Sequence, residues 1–155
     1  MVKRTSMDSA TCPVARSLDA IGDWWALLIV REAFADVGRF GDFQKRLGLA
    51  KNILATRLRG LVAEGILETR PASDGSAYQE YVLTEKGRSL YTVMIALHQW
   101  GQANLFEPGE PITALLDRAT GRPVRKLEIL SAEGVPLGVA DLTLVQPVST
   151  SEAPS

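Results

Sequence analysis

Cysteine and histidine are almost absent from this chain of 155 residues, which contains one of each, 86 positions apart. One cysteine excludes an intrachain disulfide, and the pair supplies neither a metal site nor a nucleophile motif. No apolar run approaches the roughly 18 residues of a membrane span, and the N-terminus lacks the apolar core of a secretory signal. These absences predict a cytoplasmic protein, not an enzyme, without metal or other cofactor and without a membrane partner.

A strong net charge is also missing, since 17 basic and 18 acidic residues leave a formal net charge of −1. The charges are unevenly spread. Residues 1–106 contain 13 Lys and Arg against 11 Asp and Glu, and residues 107–155 contain 4 against 7. The acid-free stretch 43–63 has five basic residues, which are Lys45, Arg46, Lys51, Arg57 and Arg59. This local excess creates a positive potential that suits DNA, although a solvated helical face explains it equally well.

The apolar spacing in the first half of the chain predicts four helices. Pro13 favours the start of the first helix, and Asp23 is placed to cap a second that begins at Trp24. The third and fourth are expected over residues 42–47 and 51–64, separated by a short connection that contains a glycine. Two helices joined in this way match a helix–turn–helix.

The fourth helix has two chemically different faces at about 100° per residue. One face consists of Leu54, Leu58 and Leu61. The opposite face consists of Asn52, Thr56 and Arg59. Asparagine can bond bidentately to adenine and arginine to guanine, and threonine can meet a base edge or the thymine methyl. The pattern predicts a recognition helix, which Gly65 ends.

Two stretches with strand character follow, residues 66–70 and 78–83, with a turn-rich segment between them. A hairpin directly after a recognition helix is a wing. Arg70, Ser73 and Ser76 are placed to reach phosphates or the minor groove, and a plain surface hairpin is as good an explanation for the two serines.

A long helix capped by Thr84 is expected next, with one apolar stripe. The predicted interface residues on this stripe are Leu90, Val93, Met94, Leu97 and Trp100. A small domain that already has a core has no other use for the stripe, so we expect a dimer interface. His98, on its flank, is interpreted as structural.

At this point residues 12–106 resemble the HxlR family of winged-helix regulators, relatives of the MarR type. The segments that support the resemblance are CPVARSLDAIGDWW (12–25), LLIVRE (27–32), RFGDFQ (39–44), LATRLRGLVAEGIL (54–67), EYVLTEKG (80–87) and HQWG (98–101). Their order and spacing make the set specific, although no single piece decides the family.

The resemblance implies a mainly α fold with a β-hairpin wing, and a homodimer in which the first and last helices of both subunits pack together. Val14 and Leu18 then join the interface. It also implies two recognition helices in successive major grooves of a near-palindromic operator, about 34–36 Å apart. The predicted DNA-binding residues are Arg39, Lys45, Lys51, Asn52, Thr56, Arg57, Arg59, Arg70, Ser73 and Ser76. Family members act mostly as repressors, and several respond to electrophiles, oxidants or quinones.

This chain departs from the family pattern at the start of the fourth helix, and the role of its one cysteine has two explanations. Ala50, Lys51 and Asn52 stand where the family often has Ser-Pro-Arg, so the helix has a weak cap and its operator differs. Cys12 stands where the family often has a cysteine, at a helix start that stabilises thiolates. It is a redox candidate, and a buried inert cysteine at the dimer interface is the alternative.

The C-terminal segment differs in composition from the rest. Short strands are expected at residues 112–116, 124–130 and 139–145, in an outline like a zinc ribbon. Thr120, Leu130 and Glu133 stand where thiolate ligands would be, so no metal is expected.

The sequence therefore predicts four parts. They are a flexible arm (1–11), a winged helix–turn–helix domain that binds DNA and dimerises (12–106), a small β appendage (107–146) and a disordered tail (147–155). We expect a sequence-specific, homodimeric DNA-binding regulator that acts as a repressor. Its partners are double-stranded DNA and a second copy, with a small-molecule, electrophile or redox effector left open. The alternative is a winged-helix interaction module that does not bind DNA.

Overall fold

The computed structural model describes residues 6–147 and divides into two compact units, Met1–Tyr91 and Thr92–Ser155. The boundary falls inside the range 12–106 that the sequence assigned to one domain. Most of the predicted tail, and residues 1–5 of the predicted arm, lie outside the described residues. None of the helices formed by residues 6–147 combines the length and hydropathy that a bilayer crossing requires.

Four helices form most of the first unit. They are α1 (Pro13–Ile21), α2 (Trp24–Phe34), α3 (Phe40–Leu47) and α4 (Lys51–Ala63). Asp23 caps α2 as predicted, because its carboxylate accepts hydrogen bonds from the backbone N–H groups of Trp25 and Ala26 at 3.0 and 3.2 Å. Helix α3 begins two residues earlier than predicted, because the Arg39 carbonyl accepts the N–H groups that close its first turn.

The core of this unit lies under the helix–turn–helix. Leu54, Leu58 and Leu61 of α4 are buried, as the predicted leucine face requires, and they share the core with Phe43 and Ile29. Helix α4 ends as predicted before a left-handed glycine, Gly65, with a φ of 69°. The buried leucines fix which side of α4 remains available to solvent.

An antiparallel hairpin follows α4. It consists of β1 (Leu67–Pro71) and β2 (Gln79–Leu83), one residue later than predicted at each start, in the register Leu67 to Leu83 through Pro71 to Gln79. The backbone N–H of Tyr81 also donates to the Gly38 carbonyl at 2.8 Å. This bond holds the loop before α3 against the wing.

The predicted long helix after the wing is two helices, α5 (Glu85–Arg88) and α6 (Tyr91–Asn104). Thr84 caps α5 as expected, through a hydrogen bond from the Gly87 N–H. The N–H of Leu90 bonds the carbonyl three residues back, at Gly87, so the α-helical pattern is interrupted before α6.

The second unit contains α6, a short 3-10 helix (Val139–Asp141) and extended chain. The three strands predicted here are wrong, since pairing in the described part of this unit is limited to two isolated bridges, Leu116 with Pro123 and Leu130 with Pro136. In each bridge the hydrogen bonds come from residues next to the proline, such as the Val124 N–H to the Leu115 carbonyl at 3.1 Å and the Leu137 N–H to the Ile129 carbonyl at 2.8 Å.

Candidate nucleic-acid interface

The face of α4 opposite the core presents polar side chains. Lys51, Asn52, Thr56 and Arg59 are all exposed. The Thr56 hydroxyl donates to the Asn52 carbonyl at 2.9 Å, and Arg59 Nη2 donates to Thr56 Oγ1 at 3.4 Å. The predicted base-reading trio is therefore a contiguous strip on one side of the helix.

The start of this helix lacks a side-chain cap. Ala50 has extended backbone at the N-cap and offers no acceptor to the first-turn N–H groups. The exposed side chains of Lys45 and Lys51 form no hydrogen bond or ion pair with any residue between 6 and 147. The N–H groups of the first turn of α4 therefore have no side-chain acceptor. Together with the cations Lys45 and Lys51, they make this region suitable for an anion such as a phosphate.

Arg57 differs from its neighbours on α4. Its Nε donates to Asp23 Oδ1 at 2.9 Å, and its side chain is 36% exposed. The same oxygen caps α2. The structure thus places Arg57 in a link between α4 and α2, apart from the strip of Asn52, Thr56 and Arg59.

Arg39 is also engaged by the protein. Its guanidinium forms ion pairs with Asp74, at the wing tip, and with Glu80 of β2, where Nε and Oε1 are 3.5 Å apart. The backbone N–H of Ser76, together with Arg39, holds the pKa of Asp74 well below its usual range. We call Arg39, Asp74 and Glu80 the wing latch.

The remaining predicted wing residues are likewise bonded within the hairpin. Arg70 pairs with Glu68, and the Ser73 hydroxyl donates to Glu80 at 3.3 Å. The N–H of Ser76 donates to Asp74. The predicted wing contacts therefore lie together at the hairpin, each with a protein partner that DNA would have to replace.

Glu32 is a buried carboxylate next to the helix–turn–helix that the sequence analysis did not identify. It is 5% exposed and forms ion pairs with Arg46 of α3 and with Arg31. Burial raises the pKa of Glu32, but the hydrogen bonds from Arg46 and Arg31 outweigh that effect and leave it lowered. No local signal predicts the pair with Arg46, because 14 positions separate the two residues.

The predicted dimer residues are exposed or half-buried. Helix α6 has no buried residue among its 14, and Val93, Leu97 and Trp100 are 41%, 46% and 60% exposed. Leu90 and Met94 are half-buried. Val14 and Leu18 of α1 are exposed as well, as is Cys12 at the N-cap of that helix.

The model of the HxlR-like helix-turn-helix family matches residues 20–108, more than half of the chain. The chain belongs to this family. It is similar to the uncharacterized HTH-type transcriptional regulator Rv3095 of Mycobacterium tuberculosis, with 44% identity over 100 residues. That alignment covers 64% of this chain and 63% of Rv3095, so the match spans less than two thirds of that relative's length.

Solved structures support the same assignment. The chain is similar to PA1607, described as a candidate transcription factor, with 50% identity and a TM-score of 0.87 over 92% of this chain and 100% of that one. The oxidized form of the redox regulator HypR is 30% identical, with a TM-score of 0.53 over 60% of this chain and 97% of HypR. The chain therefore has the winged-helix fold of helix–turn–helix transcriptional regulators, and the similar proteins above are named as regulators or transcription factors.

Proposed function

We propose that this protein binds double-stranded DNA as a homodimer and represses transcription by placing α4 of each subunit in the major groove of a near-palindromic operator. The observation that supports this most directly is the exposed strip of Asn52, Thr56 and Arg59, whose side chains match the donor and acceptor patterns of base edges.

Phosphate contacts position this strip. Lys45 in α3 and Lys51 at the uncapped start of α4 are exposed cations without partners among residues 6–147, and we assign them to the DNA backbone. In the wing, Arg70, Ser73 and Ser76 reach the flanking phosphates or minor groove once their bonds within the hairpin are exchanged for DNA. Arg39 and Arg57 bind phosphate only if their ion pairs are broken, so we rank them below the two lysines.

The apolar surface of α6 supports the dimer. A 14-residue helix without one buried residue exposes apolar side chains that a second copy can cover. A two-fold dimer then sets the spacing of the two recognition helices at about 34–36 Å, one turn of DNA.

A fluorescence anisotropy titration with the DNA that flanks its own gene tests the proposal. We expect Asn52→Ala and Arg59→Ala each to weaken specific binding by about 1–3 kcal/mol and to relax preference at one base pair. Gln102→Ala, an exposed amide on α6, is the matched control and leaves binding unchanged.

The salt dependence of binding separates this function from that of an interaction module. Lys45→Ala and Lys51→Ala should each lower the slope of log K against log salt by about 0.9, while the exposed Arg118→Ala leaves it unchanged. If the protein shows no salt-dependent binding to the DNA that flanks its own gene, it is an interaction module instead.

We further propose that Cys12 makes the regulator redox-responsive. Its thiol is exposed in the single chain, and the similar protein HypR is named a redox regulator. Diamide would oxidise two Cys12 thiols to an intersubunit disulfide while taking up their two hydrogen atoms. In the presence of diamide, Cys12→Ser should stay bound to operator DNA while the wild type releases it. Equal release of operator DNA by both proteins contradicts a redox role for Cys12.

A further inference from the structure

The second unit contains a groove of about 670 Å³ beside α6. Its walls are α6, the residues 114–115, and the residue pairs 123–124 and 126–127. This volume is in the range of small-molecule sites. The groove takes no part in the DNA-binding proposal, because none of the DNA-binding residues lines it.

Specific hydrogen bonds hold the groove in shape. Gln99 of α6 uses both ends of its amide: Nε2 donates to the Arg125 carbonyl at 2.9 Å, and Oε1 accepts the Leu127 N–H at 2.8 Å. The bridge between Leu116 and Pro123 ties the two extended stretches together. Hydrogen bonds therefore hold the extended stretches of the groove wall to α6 and to each other.

The lining combines apolar surface with positive charge. Trp100 is 60% exposed, and Val124 and Leu127 are 38% and 39% exposed. Lys126 is the charged residue in the lining, where Asp and Glu are absent among the described residues. His98 also lines the groove, and its buried Nε2 has no hydrogen-bond partner among residues 6–147.

A second groove, of about 660 Å³ in the first unit, has different chemistry. Its lining includes Asp36, Asp42 and Glu80 as well as Arg39 and Arg88. Because both signs are present there, that groove has no preference for a charged ligand. The groove beside α6 does, since its one formal charge is a cation.

We propose that the groove beside α6 binds a small aromatic organic anion, a carboxylate or sulfonate. Lys126 pairs with the anionic group, and the ring lies against the aliphatic side chains of Val124 and Leu127. This site goes beyond DNA binding and does not depend on it, because the ligand is measured without DNA.

A fluorescence titration of the full-length protein with 8-anilinonaphthalene-1-sulfonate tests the site. We expect saturable binding that Lys126→Gln weakens about fivefold or more, since the sulfonate loses its cation. The neutral analogue N-phenyl-1-naphthylamine should bind wild type and Lys126→Gln equally. Arg125→Gln is the matched control, because Arg125 is adjacent in sequence, exposed and outside the lining.

Two further variants test the apolar side of the groove. Leu127→Ala should weaken both probes, and Val124→Asp should abolish sulfonate binding by placing a carboxylate in the lining. Thermal unfolding confirms that each variant is folded, and Val124→Asp decides the result if Leu127→Ala is unfolded. Equal loss in Arg125→Gln and Lys126→Gln, or sulfonate binding that survives Val124→Asp in a folded protein, overturns the proposal.

Discussion

Glu32 joins two helices of the first unit through a buried charge. The carboxylate lies in α2, and its partner Arg46 lies in α3, the first helix of the helix–turn–helix. A carboxylate that is 5% exposed is stable as an ion only with such partners. The position of α3 therefore depends on one ion-pair cluster as well as on the apolar core.

We predict that Glu32→Gln lowers the free energy of unfolding by about 1–3 kcal/mol at neutral pH, because Arg46 and Arg31 lose charged hydrogen bonds. The pKa of Glu32 is lowered in the folded protein, so its stabilisation is complete above the ordinary value of 4.5 and is lost as the pH falls through the folded value. Urea unfolding from pH 7 to pH 3 measures both effects.

The exposed Glu64, whose carboxylate has no bonded partner within residues 6–147, supplies the control for Glu32. Glu64→Gln should change stability by less than about 0.5 kcal/mol at any of these pH values. If the two variants unfold alike across the range, the ion pairs of Glu32 contribute nothing measurable.

Arg57 and Arg59 show how two arginines of one helix take different roles. Arg59 lies on the exposed strip beside Thr56, whereas Arg57 is bonded to Asp23, 34 positions earlier. Helical periodicity predicts that Arg59 lies on the polar face of α4. Only the packing of α2 against α4 determines that Arg57 is held by a carboxylate.

At the scale of the element, the wing is held to the helix–turn–helix by the wing latch and by the bond from the Tyr81 N–H to the Gly38 carbonyl. The latch places two carboxylates, Asp74 and Glu80, beside a cation that DNA would otherwise attract. Exposed ion pairs of this kind contribute only about 0–1 kcal/mol to folding, so exchange for phosphate is feasible.

We predict that Asp74→Asn tightens DNA binding, because it removes a negative charge at the wing tip and releases Arg39. The slope of log K against log salt should become steeper by about 0.9, one additional phosphate contact. Asp117→Asn is the control, since Asp117 accepts the same kind of turn hydrogen bond, from the Ala119 N–H, in the other unit. An unchanged slope in Asp74→Asn means that Arg39 stays away from DNA.

The junction between α4, the wing and α5 depends on a glycine. A Cβ atom on Gly87 would lie 2.1 Å from the Ile66 carbonyl oxygen and 3.0 Å from Leu83 Cδ2. The Thr84 hydroxyl bonds the carbonyls of Gly65 and Ile66 at the same place, and Lys86 Nζ bonds that of Glu64. Because α5 lies close to the chain that follows α4, the side chains of Thr84 and Lys86 can donate hydrogen bonds to the carbonyls of residues 64–66.

We therefore predict that Gly87→Ala lowers the free energy of unfolding by at least about 1–3 kcal/mol, because the backbone must shift to admit the methyl group. Gly60→Ala, inside α4 with no atom within 4 Å of the added Cβ, should instead stabilise the protein by about 0.5–1 kcal/mol. Denaturant titrations measure the change in the free energy of unfolding, which should be opposite in sign for the two variants. A Gly87→Ala protein as stable as the wild type would show that the methyl group does not clash with the Ile66 carbonyl.

For the whole molecule, we propose that two copies meet through the exposed apolar side chains of α1 and α6. We predict that Leu97→Glu converts the dimer to a monomer in analytical ultracentrifugation, because the carboxylate would be buried without a partner. DNA affinity should fall about 10²-fold or more, since the two half-sites are then bound independently.

Leu144→Glu is the control for assembly, because Leu144 is 95% exposed and lies outside the predicted interface. It should leave both sedimentation and DNA binding unchanged. A Leu97→Glu protein that remains dimeric would place the interface elsewhere in the chain.

The sequence by itself determined the helices of the first unit, the hairpin, the buried leucine face and the family. These features follow from residue periodicity, caps and glycines, which act between near neighbours. The same local rules failed in the C-terminal segment, where the strand-like stretches of the described residues pair only through two isolated bridges. The tertiary structure alone decided which cations are free. Arg39, Arg46 and Arg57 meet carboxylates 14 to 41 positions away, whereas Lys45 and Lys51 meet none among the described residues. Such pairs form only when distant parts of the chain pack together, so no local pattern encodes them.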